Sequence, residues 1–399
     1  MLAIFQPSSH SLRVSPMQDL LVIGGGIVGA GVARDAAMRG LSVTLLERES
    51  VGWGTSSRSS RLIHGGIRYL ELGDFHLVHE ALAERAILLH IAPHLVRPLP
   101  FLFLTDAGEY WQYFRVGVGV LLYRLLAGRH ALGAHGPIGR GRVLKREPLL
   151  QRSPLLGAAL YQDAHGDDIG LVRSNIESAR RAGARILEHS DAQLAATENG
   201  VAATLQTGEQ IEARAMVLAV GPWTDRVRHA IGLPDRDLVG GTKGIHITFA
   251  ITRFPLTHAI ALRHPDDRRV MFCIPEPELQ RVLVGTTDTE TTEAPEALSV
   301  PKSDEDYLLR AVCHHFPDLA LTADDITARW AGVRPLLKQS GAESGRTREH
   351  HLERDGRVLT IAGGKLTTYR KMAEEVVDAV VEVLGATTLP CATATEPLP

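Results

Sequence analysis

One run constrains this chain more than any other: Asp19-Leu-Leu-Val-Ile-Gly24-Gly25-Gly26-Ile-Val-Gly29-Ala-Gly31, followed by Val43-Thr-Leu-Leu-Glu47. A short apolar strand over 20–23 runs into glycines that permit a tight turn and a close backbone approach. A helix of small residues follows, its amide-bearing end turned toward the same spot, which suits a pyrophosphate. Glu47 ends the second strand, where a carboxylate accepts both hydroxyls of an adenosine ribose and repels a 2′-phosphate. A lone Gly-x-Gly-x-x-Gly says little. Strand, glycines, helix, strand and acid in this order predict a dinucleotide cradle in which Gly24, Gly26, Gly29 and Glu47 hold FAD or NAD rather than NADP.

The bulk properties narrow the setting. With 399 residues, 44% hydrophobic and 22% charged, the chain is long enough for about two domains and a large core. A net charge of −3 attracts no nucleic acid globally, so an anionic ligand must be held by a local cluster of cations. Three scattered cysteines, Cys273, Cys313 and Cys391, argue against a disulfide framework and a zinc site, and fit a reducing cytosol. Residues 1–17 read as a disordered extension, with Met17 an alternative start. The apolar stretch 116–126 is interrupted by Arg124 and falls short of the roughly 20 residues a bilayer span needs.

Apolar spacing predicts a helix over 76–90, a strand over 98–104, and a helix over 110–128 carrying Trp111, Phe114, Val118, Leu121, Leu122 and Leu125. The next segment is basic, with Arg140, Arg142, Lys145, Arg146 and Arg152. The helix therefore has two readings, packing against the body or peripheral contact with an anionic membrane. A helix over 171–182, a strand over 184–188, a hairpin turning at Asn199-Gly200 and a buried strand over 215–219 follow. Runs over 245–250, 270–274 and 282–286 predict one antiparallel sheet.

The nucleotide fold is revisited twice. The strand over 215–219 ends in Val220-Gly221-Pro222-Trp223, and a strand over 357–362 runs into Gly363-Gly364-Lys365 and a helix to about residue 384. A second helix amino terminus aimed at the site would stabilise negative charge gathering on a reduced flavin, a need NAD does not share. The fold class expected is α/β, a Rossmann-like FAD-binding domain, discontinuous in sequence, with an inserted, mostly antiparallel α+β substrate domain. Its parts are 18–95, 160–230 and 331–385 for FAD, and 96–159 and 231–330 for substrate. Residues 386–399 read as a loose tail.

Several motifs together resemble the FAD-dependent glycerol-3-phosphate dehydrogenases, within the D-amino-acid-oxidase-type, glutathione-reductase-like flavoproteins. They are the first glycine run, Thr55-Ser-Ser, Leu62-Ile-His-Gly-Gly-Ile-Arg-Tyr-Leu-Glu71, Gly221-Pro-Trp223, Val284-Gly-Thr-Thr-Asp288, Ala331-Gly-Val-Arg-Pro335 and Gly363-Gly-Lys-Leu-Thr-Thr-Tyr-Arg-Lys371. The resemblance covers roughly residues 19–385, and the runs around Arg68 and Lys365 are its most specific parts. It implies FAD contacts from Gly24, Gly26, Ile27, Gly29, Glu47, Arg48, Thr55, Ser56, Ser60, Leu62, His64, Gly221, Gly364, Lys365, Leu366 and Thr367. It also implies substrate contacts from Arg68, Arg334 and Lys365. Two departures stand out: Val220 replaces a more usual threonine, and the further helical domain that family members carry after the last helix is not expected here.

Oxidation of a secondary alcohol by flavin needs a phosphate anchor, hydride transfer from C2 to flavin N5, and removal of the hydroxyl proton. Arg68 and Arg334 can meet phosphate oxygens in forked pairs, and Lys365 adds a third charge. His246 is the first candidate for the base and His64 the second. Tyr69 and Thr367 can hydrogen-bond substrate or flavin. His314-His315 and His350-His351 lack ligand spacing and partners, so no metal is assigned. The expected function is oxidation of sn-glycerol 3-phosphate to dihydroxyacetone phosphate, with electrons passed to quinone or another acceptor. The expected location is cytoplasmic or peripheral at the inner face of the cell membrane. Two alternatives stay open: an FAD-dependent 2-hydroxyacid or amino-acid oxidase, and a non-catalytic FAD-binding interaction subunit.

Overall fold

The computed structural model describes residues 16–197, 200–291, 293–338 and 350–399, the side chains of Arg68, Glu71 and Leu72 excepted. Strand Gln18–Ile23 pairs in parallel with Val43–Leu46 on one side and Gln210–Leu218 on the other. Arg185–Leu187 and Val358–Gly363 extend this parallel sheet outward. Its central strands read as unbroken apolar runs because both faces are covered. Leu20, Val22, Val43 and Leu45 pack under helices Ile27–Met38, Asp168–Arg181 and Tyr369–Leu384. Leu21, Leu46, Met216 and Leu218 pack on the other face with residues of strand Gly200–Leu205. That strand and Ala192–Thr197 form the expected hairpin, although Asn199 lies outside the described residues.

The second sheet is mostly antiparallel. Val96–Asp106 and Leu155–Gly166 pair along their whole length, and Val239–Ala250 pairs with Ile326–Leu337 and Arg281–Gly285. Ala259–Arg263 joins the two halves, antiparallel to Val270–Glu276 and parallel to Val96–Asp106. Helix Lys302–His315 covers one face and helices Phe75–Ile91 and Tyr110–Ala127 the other. This is the α/β plan with an antiparallel partner that the sequence predicts.

Two expectations change, and one helix shows which of its faces is packed. Boundaries at 160 and 331 would each cut a strand of the second sheet, because Leu155–Gly166 and Ile326–Leu337 belong to it throughout. The chain crosses between sheets after Gly166 and after Leu337 instead. The tail is docked rather than loose: Leu398 is 4% exposed and joins the core of the parallel sheet. Its N–H donates to Ile91 O at 2.8 Å, and Arg34 donates to Glu396 O at 2.7 Å. Finally, helix Tyr110–Ala127 meets the body through Val116, Val120, Tyr123 and Ala127, while Trp111, Phe114, Val118, Leu121 and Leu125 face outward.

Candidate functional site

A cavity of about 1330 Å³ runs between the two sheets, past the carboxyl ends of the parallel strands. At one end stands the first glycine turn. Gly24 has φ +101°, and a Cβ there would lie 2.6 Å from Ala219 O. A Cβ on Gly29 would lie 1.9 Å from Gly24 O, so the helix can enter this close to the turn only with glycine at both positions. Gly26 at the N-cap has no side chain to offer the helix, and Ser56 Oγ takes the first helical N–H, accepting from Ile27 N at 3.0 Å. Glu47 takes one backbone N–H on each carboxylate oxygen, Gly25 N at 2.6 Å and Glu49 N at 2.8 Å. A carboxylate has about four acceptor positions, so two hydroxyls still fit. Arg48 lies 5.8 Å from the Trp223 ring, and Trp53 is tilted against the same ring at 6.1 Å.

The second junction lines the same cavity. Gly364 has φ +88°, and a Cβ there would lie 2.3 Å from Met372 Sδ. Leu366–Thr368 form a 3-10 turn that leads into helix Tyr369–Leu384. The Thr367 hydroxyl accepts from His64 N at 3.0 Å and donates to His64 O at 3.2 Å. Its proton is thus used within the protein here, and the residue ties the second junction to the His64 loop. Thr55 is spent likewise, donating to Val333 O at 2.8 Å.

Lys365, Tyr69, Arg334 and His246 also line the cavity. Lys365 Nζ sits 3.9 Å from the Tyr69 ring centroid, a cation held over a π face. Arg334 donates to Asp288 Oδ1 and Thr286 Oγ1, both at 2.9 Å, and to Thr287 O at 3.1 Å. These bonds fix the guanidinium plane while 21% of the side chain stays exposed. The side chain of Arg68 lies outside the described residues. His246 is buried, stacks on Trp330 at 5.5 Å, and its Nε2 shares a hydrogen bond with Ser60 Oγ at 2.9 Å. Burial, with the Arg334 charge, pushes this imidazole down to about 3. The ring is therefore neutral at physiological pH, and the near-neutral titration expected of it is lost to desolvation.

One group escaped the sequence reading. Asp163 lines the cavity, and its Oδ1 accepts from Arg85 at 2.7 Å and Tyr123 at 2.7 Å, while Tyr123 Oη accepts from Gly65 N at 2.8 Å. All three side chains are nearly fully buried. They anchor the Gly65-Gly66 turn that presents Ile67 and Tyr69 to the cavity. The available signal was Arg85, a cation on the apolar face of the Phe75–Ile91 helix, which requires a buried partner. Asp163→Ala leaves that guanidinium buried without its carboxylate, and about 3–5 kcal/mol of stability is expected to be lost, read as a fall in chemical-denaturation midpoint.

Residues 19–370 match the family described as FAD dependent oxidoreductase. The chain belongs to that family. Within it, the flavoprotein is 36% identical over 371 residues to the aerobic glycerol-3-phosphate dehydrogenase of Bacillus subtilis, covering 91% of this chain and 66% of the relative. It is 34% identical over 452 residues to the alpha-glycerophosphate oxidase of Streptococcus pyogenes, covering 95% and 73%. The solved glycerol-3-phosphate dehydrogenase of Bacillus halodurans, complexed with FAD, superposes with a TM-score of 0.77 at 32% identity, over 96% of this chain and 68% of that one. The flavoprotein thus spans about two thirds of the length of these dehydrogenases. The glycine cradle that no Cβ fits and the unspent acceptor positions of Glu47 both suit FAD.

Proposed function

We propose that this flavoprotein oxidises sn-glycerol 3-phosphate to dihydroxyacetone phosphate. The observation that carries the proposal is the position of Arg334 and Lys365 on the same cavity as both glycine junctions. Two cations reaching one bound anion suit a phosphate dianion, whereas a carboxylate needs only one. FAD, when bound, supplies the acceptor for the hydride leaving C2. Arg334, held flat by Asp288 and Thr286, offers a forked donor pair that fixes phosphate orientation. Lys365 adds charge at the second junction, and Arg68 is assigned to the phosphate with them.

His246 is the proposed acceptor of the hydroxyl proton. Burial is the larger cause of the ring's low basicity and the Arg334 charge the smaller; phosphate bound to Arg334 would relieve the smaller one and leave the ring a neutral acceptor. Anaerobic mixing with a substrate panel tests the reaction. Flavin absorbance is expected to bleach with glycerol 3-phosphate much faster than with lactate, 2-hydroxyglutarate or amino acids. Equal rates would point to another substrate of the same fold, and no bleaching at all to a binding subunit.

A membrane quinone is the proposed electron acceptor, with peripheral attachment through helix Tyr110–Ala127. No helix among the described residues is long and apolar enough to cross a membrane. Trp111 and Leu125, however, are 73% and 74% exposed, and Arg115, Arg124, Arg129, Arg142, Lys145 and Arg146 are exposed near them in sequence. An apolar stripe bordered by cations suits an anionic bilayer surface. Replacing Leu121 and Leu125 together by Glu is expected to weaken co-sedimentation with phosphatidylglycerol vesicles about tenfold or more while leaving flavin content unchanged.

A further inference from the structure

We propose that Asp106, His314 and His315 form a binding site for a divalent transition-metal ion of the zinc class. The His314-His315 pair has no partner close to it in sequence, but the fold brings the end of strand Val96–Asp106 to the carboxyl end of helix Lys302–His315, and one ligand atom from each of the three residues lies within 4.8 Å of the others.

His315 is the deciding residue. It is 1% exposed, and its Nε2 lies 3.1 Å from Arg263 O. A carbonyl only accepts, so Nε2 carries the proton and Nδ1 of the neutral ring presents a lone pair. That Nδ1 has no hydrogen-bond partner among the described residues. It faces Asp106 Oδ1 at 3.8 Å, too far for a hydrogen bond. A buried lone pair opposite a carboxylate oxygen is repulsive unless something positive stands between them. An ion at about 2.0–2.1 Å from each ligand atom would set them about 3.3 Å apart, a contraction that side-chain rotation supplies.

The surroundings have the features of a built site. The Arg263 carbonyl fixes the ring of His315, and Arg268 donates to the other Asp106 oxygen at 3.2 Å, as outer groups do around metal ligands. The helix ends on His315, so its carbonyl-rich terminus favours a cation there. His314 is exposed and its ring lies edge-on to His315 at 4.9 Å, which leaves an entry path and a fourth position for water. Two imidazoles and one carboxylate without thiolate suit Zn²⁺ better than Mg²⁺ or Ca²⁺.

The test uses the FAD-loaded chain with any affinity tag removed, titrated with ZnCl₂ by calorimetry, with thermal midpoints followed in parallel. One equivalent is expected to bind, and the midpoint to rise by a few degrees in excess Zn²⁺. His314→Ala, an exposed position, is expected to weaken binding at least about tenfold while the metal-free midpoint and flavin spectrum stay as in the unaltered chain. Asp106→Asn, which keeps the shape and removes the charge, is expected to do the same to binding. Absence of Zn²⁺ binding, or equal affinity in His314→Ala, overturns the proposal.

Discussion

Gly29→Ala is expected to yield a nearly colourless protein. The added methyl would stand 1.9 Å from Gly24 O, and neither side can give way cheaply: Gly24 is itself held in a left-handed turn, with Ala219 O at 2.6 Å from its own Cβ position. The turn and the helix must separate, which removes the close approach of backbone to pyrophosphate. A clash of this kind costs on the order of 3 kcal/mol, or about a hundredfold in FAD affinity. The ratio of absorbance at the flavin band to protein absorbance after gel filtration measures it. Gly40→Ala is the control, because Gly40 also has a positive φ, +91°, but nothing lies within 4 Å of its Cβ position. It should lose some stability and keep its flavin. Full flavin retention in Gly29→Ala would show that the cradle is not where the cofactor binds.

Arg334→Ala should spare the flavin and damage the substrate. If the guanidinium meets the phosphate in a forked pair, its loss costs about 3–4 kcal/mol in transition-state binding, a few hundredfold in kcat/KM for glycerol 3-phosphate. Unphosphorylated glycerol, however poor a substrate, should lose much less, and that contrast separates phosphate recognition from general damage. Asp288→Asn provides a graded companion. It keeps the hydrogen bond to Arg334, 2.9 Å in the parent, but weakens its charge assistance, so the fork is held less firmly and a loss nearer tenfold is expected. Equal losses on glycerol and glycerol 3-phosphate in Arg334→Ala would remove this residue from the phosphate site.

What could be read from the sequence follows from the range over which each signal acts. Gly24, Gly26, Gly29 and Glu47 declare themselves because a tight turn, a helix start and an acid ending the second strand sit at fixed short spacings. Gly364 is legible for the same reason. Asp163 was not, because its partners Arg85 and Tyr123 come from two other elements and only the folded chain unites them. The tail failed as an expectation on the same ground: residues 386–399 have no periodicity, yet Leu398 fits a gap in a core built by residues far earlier. Helix Tyr110–Ala127 is the intermediate case. Its spacing gave the helix, but which face met the body depended on the Val116, Val120 and Tyr123 side that the sheet selects.

The parallel sheet also dictates when the cofactor can be captured. Its strands come from Gln18–Ile23, Val43–Leu46, Arg185–Leu187, Gln210–Leu218 and Val358–Gly363, and the second glycine junction follows the last of them. On the ribosome, the first glycine turn, at Gly24, emerges long before the second junction, at Gly363-Gly364, that lines the same cavity. The long wait between first and last strand is a high-contact-order problem, and it delays FAD loading until the last of these strands has been made.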